Sequence, residues 1–396
     1  MIAILMLFTV VSCSDAGEEA TTQATTSNTT VTTATSATTT QNQSNTQPEE
    51  PEYLFPEEIK NLIIIIGDGM GPQHIKAGQL YENTTYEFTS WKSSLCNTNS
   101  IKANGTEVLT DSAASATALA TGTLTLNSYL GKDKDGNNLK TILDIAIRNK
   151  KSVGVVTTDY LYGATPAGFS GHSTDRNESD YITETEIASD VNFLCGLRSD
   201  SHYEKHQDLL ETFEVHYATD LNDKETIFNS EYVMLPIDIE NGASNAVELK
   251  DATAFAIEYL ERDTDGFVLM VEQAYIDKYS HNNNMSGMLD RMASLNDTVE
   301  TVMDWIGERT DTAVIVTADH ETGGLYVSSD AKYDNSVSGA GKLYYQWTSV
   351  DHTQTMVNIY VYGVDVDYAK ISRYNTAVQI KNADVFTLMK AILRFK

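Results

Sequence analysis

The sequence predicts an α/β fold in which a doubly wound, mainly parallel central sheet is flanked by helices. Short apolar runs rich in β-branched residues recur along the chain, at 62–66, 152–158, 267–271, 312–317 and 357–362. Such runs are typical of strands that are buried on both faces. Segments with apolar residues at helical spacing lie among them, at 139–148, 252–260 and 288–306. Alternating strands and helices favour parallel pairing of the strands.

The composition fits a globular enzyme and argues against nucleic acid as a specific partner. The 396 residues are 41% hydrophobic, which is sufficient for a sizeable core. Acidic residues outnumber basic ones by 56 to 27, and the formal net charge is −29. This charge repels polyanions, and a well-solvated acidic surface explains it. A phosphate-binding site in such a chain must supply its own positive charge, from metal ions or an arginine.

The N-terminal region predicts export and lipid anchoring. Residues 2–11 form an apolar run that is too short to span a bilayer, and Val10-Val11-Ser12-Cys13 resembles a bacterial lipobox. We therefore expect 1–13 to be a signal peptide with an acylated Cys13, which attaches the protein to a membrane of the cell envelope. An ordinary cleaved signal is the alternative, and it would make the protein periplasmic or extracellular.

The next segment, 14–57, is predicted to be a disordered tether. It is rich in Thr, Ser, Gln and Asn, and then becomes acidic, with three prolines between Pro48 and Pro56. Large apolar residues are almost absent, so the segment cannot bury a core of its own. The catalytic domain is expected to comprise 58–396.

Cysteine usage limits the kind of metal site that the chain can build. Only Cys13, Cys96 and Cys195 occur, so there is no disulfide framework and no cysteine-rich site. The sequence leaves open whether Cys96 and Cys195 pair with each other. Any metal must be held by histidines and carboxylates.

Carboxylates follow three of the predicted strands. The run at 62–66 leads into Gly67-Asp68-Gly69-Met70-Gly71, the run at 267–271 leads into Glu272, and the run at 312–317 leads into Ala318-Asp319-His320. In open α/β sheets, ligands collect beyond the carboxyl ends of the strands. A single acid in this place is as often a turn or N-cap residue, but three together favour a polynuclear metal site.

Histidines add to the same site. Asp277 and His281 are four residues apart, which places both on one face of a helical turn, and His352 lies just before the last strand. His202 and His206 are also four apart, but no strand with a terminal carboxylate is near them in the sequence. For that pair we expect a solvated helix face.

Ser112 is the candidate nucleophile. It follows Asp111 at the start of an Ala-rich stretch that ends at Gly122, which predicts a helix with one of these two residues at its N-terminus. Free N–H groups and the helix dipole favour an anion there. A serine at such a position is commonly a plain N-cap. The alternative is a nucleophile that is activated by a metal ion.

These motifs resemble the signatures of the alkaline phosphatase family, in the family's order and with compatible spacing. The resemblance covers about residues 60–395 and rests on four segments: Asp111-Ser112-Ala113, Gly67-Asp68-Gly69-Met70-Gly71, Thr317-Ala318-Asp319-His320 and His352-Thr353. It implies the family's α/β fold and hydrolysis of phosphate monoesters through a phosphoserine intermediate. A homodimer is left open.

The resemblance also implies the roles of individual residues. Arg176 is expected to bind two phosphate oxygens, and Lys278 to lie near the phosphate. Gly163 departs from the family, because relatives often place Asp or His there, close to the magnesium. The implied ligands are Asp277, His281 and His352 for one zinc, Asp68, Asp319 and His320 for a second zinc, and Asp68, Thr165 and Glu272 for one magnesium.

Two other functions fit parts of the sequence. A phosphodiesterase of the same superfamily is the nearest rival, and Arg176 argues against it because a diester offers one anionic oxygen fewer. A non-catalytic envelope lipoprotein that binds metal or phosphate is the alternative from a different class, although a degenerate binder is expected to lose the nucleophile or the ligands. A sulfatase is disfavoured, since the sequence has no Cys-x-Pro-x-Arg segment.

Overall fold

The computed structural model describes residues 58–330, 335–372 and 379–395. The predicted signal peptide (1–13), with Cys13, and the tether (14–57) lie outside these residues. All five predicted strands and all three predicted helices are present. The strands at 312–317 and 357–362 have the predicted bounds, and the ends of the other elements shift by up to three residues. The strands are β1 Asn61–Gly67, β2 Lys92–Asn97, β3 Ser100–Ile101, β4 Glu107–Val108, β5 Ser152–Thr157, β6 Phe193–Leu197, β7 Val215–Tyr217, β8 Tyr232–Ile237, β9 Phe267–Gln273, β10 Thr312–Thr317, β11 Glu321–Thr322, β12 Tyr326–Ser328, β13 Asn335–Ser338, β14 Lys342–Gln346, β15 His352–Thr353, β16 Val357–Tyr362 and β17 Gln379–Lys381.

Ten of these strands form the central sheet, in the order β17-β2-β16-β10-β1-β9-β5-β6-β8-β7. Pairing is parallel from β10 through to β7, as predicted. β16 is the exception, since it runs antiparallel to both β10 and β2. Its first residues therefore lie at the edge where the parallel strands end, and the chain that precedes it reaches the same edge.

The helices cover the sheet. The long helix α11 buries the predicted apolar stripe, from Met288 to Ile306, and packs against α9, α10 and α1. The helices are α1 Pro72–Glu82, α2 Ser112–Thr121, α3 Ile142–Arg148, α4 Ala164–Ser170, α5 Ser179–Ile187, α6 Asp200–Tyr203, α7 Gln207–Thr212, α8 Lys224–Asn229, α9 Leu249–Leu260, α10 Tyr275–His281, α11 Met285–Ile306, α12 Tyr368–Ile371 and α13 Asn382–Ile392.

Burial on both faces holds the middle of the sheet in place. Every residue of β1, β9 and β10 is buried, including the run of isoleucines in β1. Burying such side chains stabilises the folded state by about 1.5–3 kcal/mol each, before the entropy cost of ordering them. The strands that carry the predicted site residues therefore lie in the buried core of the fold.

Two further features concern the cysteines and membrane insertion. Cys96 and Cys195 are both buried and both free, so they do not pair. Within the three described ranges, no helix combines the length and the apolar character needed to cross a membrane.

Candidate active site

Three of the predicted carboxylates meet at one edge of the sheet. Asp68 follows β1, Glu272 lies near the end of β9 and Asp319 follows β10, and these strands are neighbours. All three residues are buried. The Gly69 backbone N–H donates to Asp319 Oδ1 at 3.1 Å. Glycine is required there, because φ is +72° and a Cβ would lie 2.9 Å from the Cα of Asp277.

Ser112 stands in the middle of this group. It is the first residue of α2, and the side chain of Asp111 caps the helix by accepting from the Ala114 backbone N–H at 3.0 Å. The Ser112 hydroxyl is buried and lies 3.1 Å from Nε2 of His320. The N-cap is therefore Asp111, which leaves the hydroxyl of Ser112 free to face the cluster beside the N–H groups of the first turn.

Asp68, Asp319 and His320 form the first group that could hold a metal ion. His320 Nε2 lies 3.2 Å from Asp319 Oδ2 and 3.6 Å from Asp68 Oδ1. Within the described part of the chain, both of these buried oxygens lack a hydrogen-bond partner. Burial, with Asp319 as the next cause, raises the pKa of Asp68 well above its usual range. Such oxygens are costly without a cation, so the site fits a metal.

His281 and His352 flank Asp277. Their Nε2 atoms lie 3.4 Å and 3.6 Å from the two carboxylate oxygens of Asp277. On the far side of each ring, Nδ1 faces a backbone carbonyl, that of Val350 for His281 (2.5 Å) and that of Thr110 for His352 (3.0 Å). Donation of Nδ1–H to a carbonyl leaves Nε2 as the free ligand atom, which is the usual arrangement of metal-binding histidines.

The two groups are continuous through His320. Its ring stacks on that of His352 with centroids 3.5 Å apart, and the closest set around Asp277 consists of Asp277, His320 and His352. Thr322 Oγ1 bridges the two groups, since it donates to Asp277 Oδ1 at 2.5 Å and contacts His320 Nδ1 at 3.2 Å. Burial holds the pKa of His320 well below its usual range, so the ring is neutral and can serve as a ligand.

The predicted magnesium ligands form an all-oxygen group on the β5 side. Thr165, in the first turn of α4, is buried, and no described residue hydrogen-bonds its Oγ1. Thr157 donates its hydroxyl to Glu272. Burial, with Asp159 as the next cause, raises the pKa of Glu272 to about 8. Hydroxyl and carboxylate oxygens are the donors that Mg²⁺ prefers.

Arg176 reaches the site from the chain after α4. Its Nη1 lies 3.2 Å from Asp111 Oδ2, and its side chain is 33% exposed. Its positive charge lowers the pKa of Asp68 and also that of His320, as a minor cause in each case, so the guanidinium lies near both. The remaining N–H groups of the fork are available to an anion beside Ser112.

Asp159 is a residue that sequence reasoning missed. It follows β5, and its Oδ1 forms an ion pair of 2.6 Å with Nζ of Lys278. A Cβ added to Gly163 would lie 2.9 Å from Asp159 Oδ2 and 2.8 Å from the Tyr160 carbonyl oxygen. The signal was available, because Asp159 follows a buried strand in the same way as Asp68 and Asp319.

The expectation for His202 and His206 is wrong. Both are buried, with 8% and 5% of their surface exposed, because α6 and the turn after it pack against α5 and the loop before α4. Asp180 of α5 lies beside both rings, at 3.3 Å from His202 Nδ1 and 3.5 Å from His206 Nε2. Sequence spacing alone does not show that α5 brings a carboxylate to this pair.

Comparison with known proteins gives the family. The family model described as alkaline phosphatase matches residues 59–212 and 227–392. Alkaline phosphatase 3 of Bacillus subtilis (strain 168) is 31% identical over 297 residues, which cover 70% of this chain and 64% of that protein. The alkaline phosphatase of Escherichia coli (strain K12) is 26% identical over 414 residues, covering 85% of this chain and 86% of that one.

A solved structure agrees with these relatives. A mutant of the TAB5 alkaline phosphatase, with Mg bound in its M3 site, matches with a TM-score of 0.74 and 26% identity over 86% of this chain and 99% of that one. The present chain spans about two thirds of the length of the Bacillus protein. The catalytic segments named above all lie inside the matched ranges.

Proposed function

This chain belongs to the alkaline phosphatase family, and from that premise we propose that it hydrolyses phosphate monoesters to inorganic phosphate and an alcohol, with Ser112 as the nucleophile. One observation carries the proposal. The Ser112 hydroxyl lies at the N-terminus of α2, 3.1 Å from Nε2 of the buried His320 and beside a group of buried carboxylates. This is where an activated serine and an anionic phosphoryl group can both be stabilised.

The donor atoms suit two zinc ions and one magnesium ion. Buried carboxylate oxygens without hydrogen-bond partners in the described residues and the neutral imidazole of His320 fit zinc, and the all-oxygen group fits magnesium. Bound cations supply Lewis-acid stabilisation of the serine alkoxide and of the leaving oxygen. The proposed ligands are Asp277, His281 and His352 for the first zinc, Asp68, Asp319 and His320 for the second, and Asp68, Thr165 and Glu272 for magnesium.

The chain's own residues perform the remaining steps. Oγ of Ser112 forms a bond to phosphorus as the bond to the leaving alcohol breaks, and the alcohol departs with a proton. Water then attacks the phosphoserine, which releases inorganic phosphate and restores the serine hydroxyl. Throughout, the guanidinium of Arg176 holds two non-bridging oxygens, and Asp111 restrains that guanidinium through its contact of 3.2 Å.

We also propose that the protein is exported and anchored by a lipid on Cys13, with 14–57 as a tether. The lipobox-like sequence and the polar composition of the following segment support this. Replacing Cys13 with Ser should abolish incorporation of radiolabelled fatty acid by cells. Continued labelling of the variant would exclude anchoring at this residue.

The activity is tested with purified protein on a chromogenic phosphomonoester and a matched phosphodiester, each with and without a chelator. We expect hydrolysis of the monoester that the chelator abolishes and added zinc restores. Faster hydrolysis of the diester would favour the phosphodiesterase alternative. Loss of both activities in metal-loaded, folded protein would favour the non-catalytic binder.

A further inference from the structure

A second group of metal-binding side chains lies outside the active site. Asp180 is in the first turn of α5, His202 is in α6 and His206 closes the turn after it. Asp180 Oδ1 lies 3.3 Å from His202 Nδ1 and 3.5 Å from His206 Nε2. One ligand atom from each residue can be chosen so that all lie within 4.8 Å of one another. We call these three residues the Asp-His-His cluster.

The two contacts of Asp180 Oδ1 match the ligand spacing of a tetrahedral site. Metal–ligand bonds of about 2.0–2.2 Å in a tetrahedron place neighbouring ligand atoms about 3.3–3.6 Å apart. His206 is only 5% exposed, and its Nε2, which faces Asp180, has no hydrogen-bond partner in the described part of the chain. On His202, Nε2 contacts Thr183 Oγ1 at 2.9 Å, which orients Nδ1 towards Asp180.

We propose that the Asp-His-His cluster binds one Zn²⁺ ion, or a borderline transition-metal cation of the same ligand preference. Two imidazoles and one carboxylate suit zinc better than magnesium or calcium, which take oxygen ligands. The Asp180 side chain is 56% exposed, so solvent can fill the fourth position. Burial and the neighbouring His206 lower the pKa of His202, which keeps that ring in the neutral, ligating form.

One positive side chain competes for the same carboxylate. Lys205 Nζ lies 3.3 Å from Asp180 Oδ1, but the lysine side chain is 59% exposed. A flexible, exposed ammonium contributes little to such a pair and can move into solvent at small cost. The Lys205 ammonium neutralises the charge of Asp180 when the cation is absent and moves into solvent when the cation binds.

The location of the cluster suggests a structural role. The ring of Tyr162 lies 4.3 Å from that of His202 and stacks on Tyr160 at 4.9 Å. Both tyrosines belong to the loop between β5 and α4, which also contains Asp159. A cation in the cluster would join α5 to α6 and support this loop from outside the active site.

The test counts zinc on the full-length protein. Wild type and variants are equilibrated with Zn²⁺, desalted and analysed by elemental mass spectrometry, with Co²⁺ absorption as a report on tetrahedral geometry. We expect His206→Gln and Asp180→Asn each to bind one equivalent less than wild type, with unchanged hydrolysis of a phosphomonoester at saturating Mg²⁺. His216→Gln is the control, because His216 contacts Asp223 at 3.1 Å but belongs to no group of three metal-binding side chains among the described residues.

Two results would decide against the site. Equal zinc content in wild type and in Asp180→Asn would overturn the proposal. The proposal would also be overturned if, with the active sites already saturated, added zinc raised the melting temperatures of wild type and Asp180→Asn equally. Asp180 is exposed, so its substitution keeps the test valid even where His206→Gln fails to fold.

A second, independent observation concerns the space beside Gly163. The carboxylate of Asp159 fills this space and contacts Lys278 at 2.6 Å. The Asp159 backbone N–H donates to Thr157 Oγ1 at 2.9 Å, and the Thr157 hydroxyl in turn donates to Glu272. We infer that Asp159 is a positioning residue, which holds Lys278 and the water shell of the cation bound by Glu272 and Thr165. The inference rests on the proposed function, since it assumes that cation.

The geometry favours one carboxylate in this space. A Cβ at Gly163 would lie 2.9 Å from Asp159 Oδ2 and 2.8 Å from the Tyr160 carbonyl oxygen, so a carboxylate at 163 requires both the removal of Asp159 and a shift of the backbone at Tyr160. Asp159 is mostly buried, at 18% side-chain exposure, and Lys278 is 38% exposed. The ion pair of Asp159 and Lys278 therefore has a fixed position beside the all-oxygen group.

The test measures Mg²⁺ binding directly, by equilibrium dialysis of zinc-loaded protein, beside the Mg²⁺ dependence of turnover. Asp159→Asn should weaken Mg²⁺ binding about 10–100-fold, and Asp159→Gly with Gly163→Asp should recover part of that loss. Asp365→Asn is the control, because Asp365 forms an exposed pair with Lys92 at 3.1 Å. Unchanged Mg²⁺ binding in Asp159→Asn would refute this role alone, whereas an inactive wild type would refute the proposed function alone.

Discussion

Replacing Arg176 with Ala tests how the site distinguishes monoesters from diesters. Its Nη1 is held by Asp111 at 3.2 Å, so the fork is already oriented when substrate arrives. A monoester presents two charged oxygens to that fork, and the contact should strengthen as the phosphoryl group flattens in the transition state. A diester presents one charged oxygen and should gain less.

The magnitude follows from the kind of contact. A hydrogen bond to a charged group contributes about 1.5–3 kcal/mol, which corresponds to a loss of roughly 10–150-fold in kcat/KM for monoesters. The Arg176 side chain is one third exposed, so water replaces part of the contact and extreme losses are not expected. Inorganic phosphate, as product, should inhibit wild type competitively and bind the variant more weakly by a similar factor.

The assay compares kcat/KM for a matched monoester and diester in wild type, Arg176→Ala and Arg176→Lys. Lysine keeps the charge but loses the bidentate geometry, so it should recover only part of the monoester rate. Arg309→Ala is the control, because Arg309 pairs with Glu261 at 3.1 Å on the surface. Equal losses for the two substrates would show that Arg176 does not set the selectivity.

Four further predictions concern the nucleophile, the metals, the pH dependence of stability and the tether. Ser112→Ala should abolish steady-state turnover and any covalent phosphate trapped at low pH, whereas labelling that persists would exclude Ser112 as the acceptor. Chelation should remove activity and lower the melting temperature, with zinc restoring more activity than magnesium alone, and full activity in protein shown to be metal-free by elemental analysis would contradict the site. The metal-free protein should also lose stability as pH rises from about 4.5 through about 8, because the pKa of Glu272 is raised from its usual 4.5 to about 8 and its proton is bound more tightly in the folded state; metal-loaded protein should not show this fall. Deleting residues 1–50 should leave kcat and KM unchanged, and impaired folding of the shortened protein would move the domain boundary.

The central strands could be predicted from sequence because their burial leaves a simple pattern. β1, β9 and β10 are uninterrupted apolar runs. β6 and β8 were not predicted, although they are buried members of the same sheet. Gly196 in β6 faces Pro236 in β8 across the pairing, and both residue types argue against a strand when only the local sequence is considered.

The direction of β16 was not predicted either. The sequence predicted its residues but not that it runs against its neighbours. That reversal explains why His352, which precedes the strand, reaches the same edge as Asp319, which follows one. Residue spacing does not show the reversed direction of β16, because that direction depends on how the chain connects β11 to β15.

The candidate site divides in the same way. Asp68, Glu272 and Asp319 could be predicted because each is tied to the end of a strong strand, and the rule that ligands collect at that edge needs no further contact. The Asp-His-His cluster depends on α5 packing beside α6, a contact between segments that carry no shared motif. Local sequence patterns predict a site at the ends of strands, but they do not predict one that forms where two helices pack together.

Asp159 shows how a departure in a motif can be offset by a residue outside it. Gly163 suggests a missing ligand when the motif is considered alone, yet Asp159 places a carboxylate in the same space from four residues earlier. The exchange is possible because the loop between β5 and α4 folds back, so that the Gly163 backbone N–H donates to the Tyr160 carbonyl at 2.8 Å. The position of the charge in space therefore matters more than its place in the sequence, and in this structure Asp159 supplies it and pairs with Lys278. The Asp-His-His cluster contacts this same loop through Tyr162, so removing its cation should weaken Mg²⁺ binding as well. The double variant with Asp180→Asn and Asp159→Asn should then lose less free energy of Mg²⁺ binding than the sum of the losses in the two single variants.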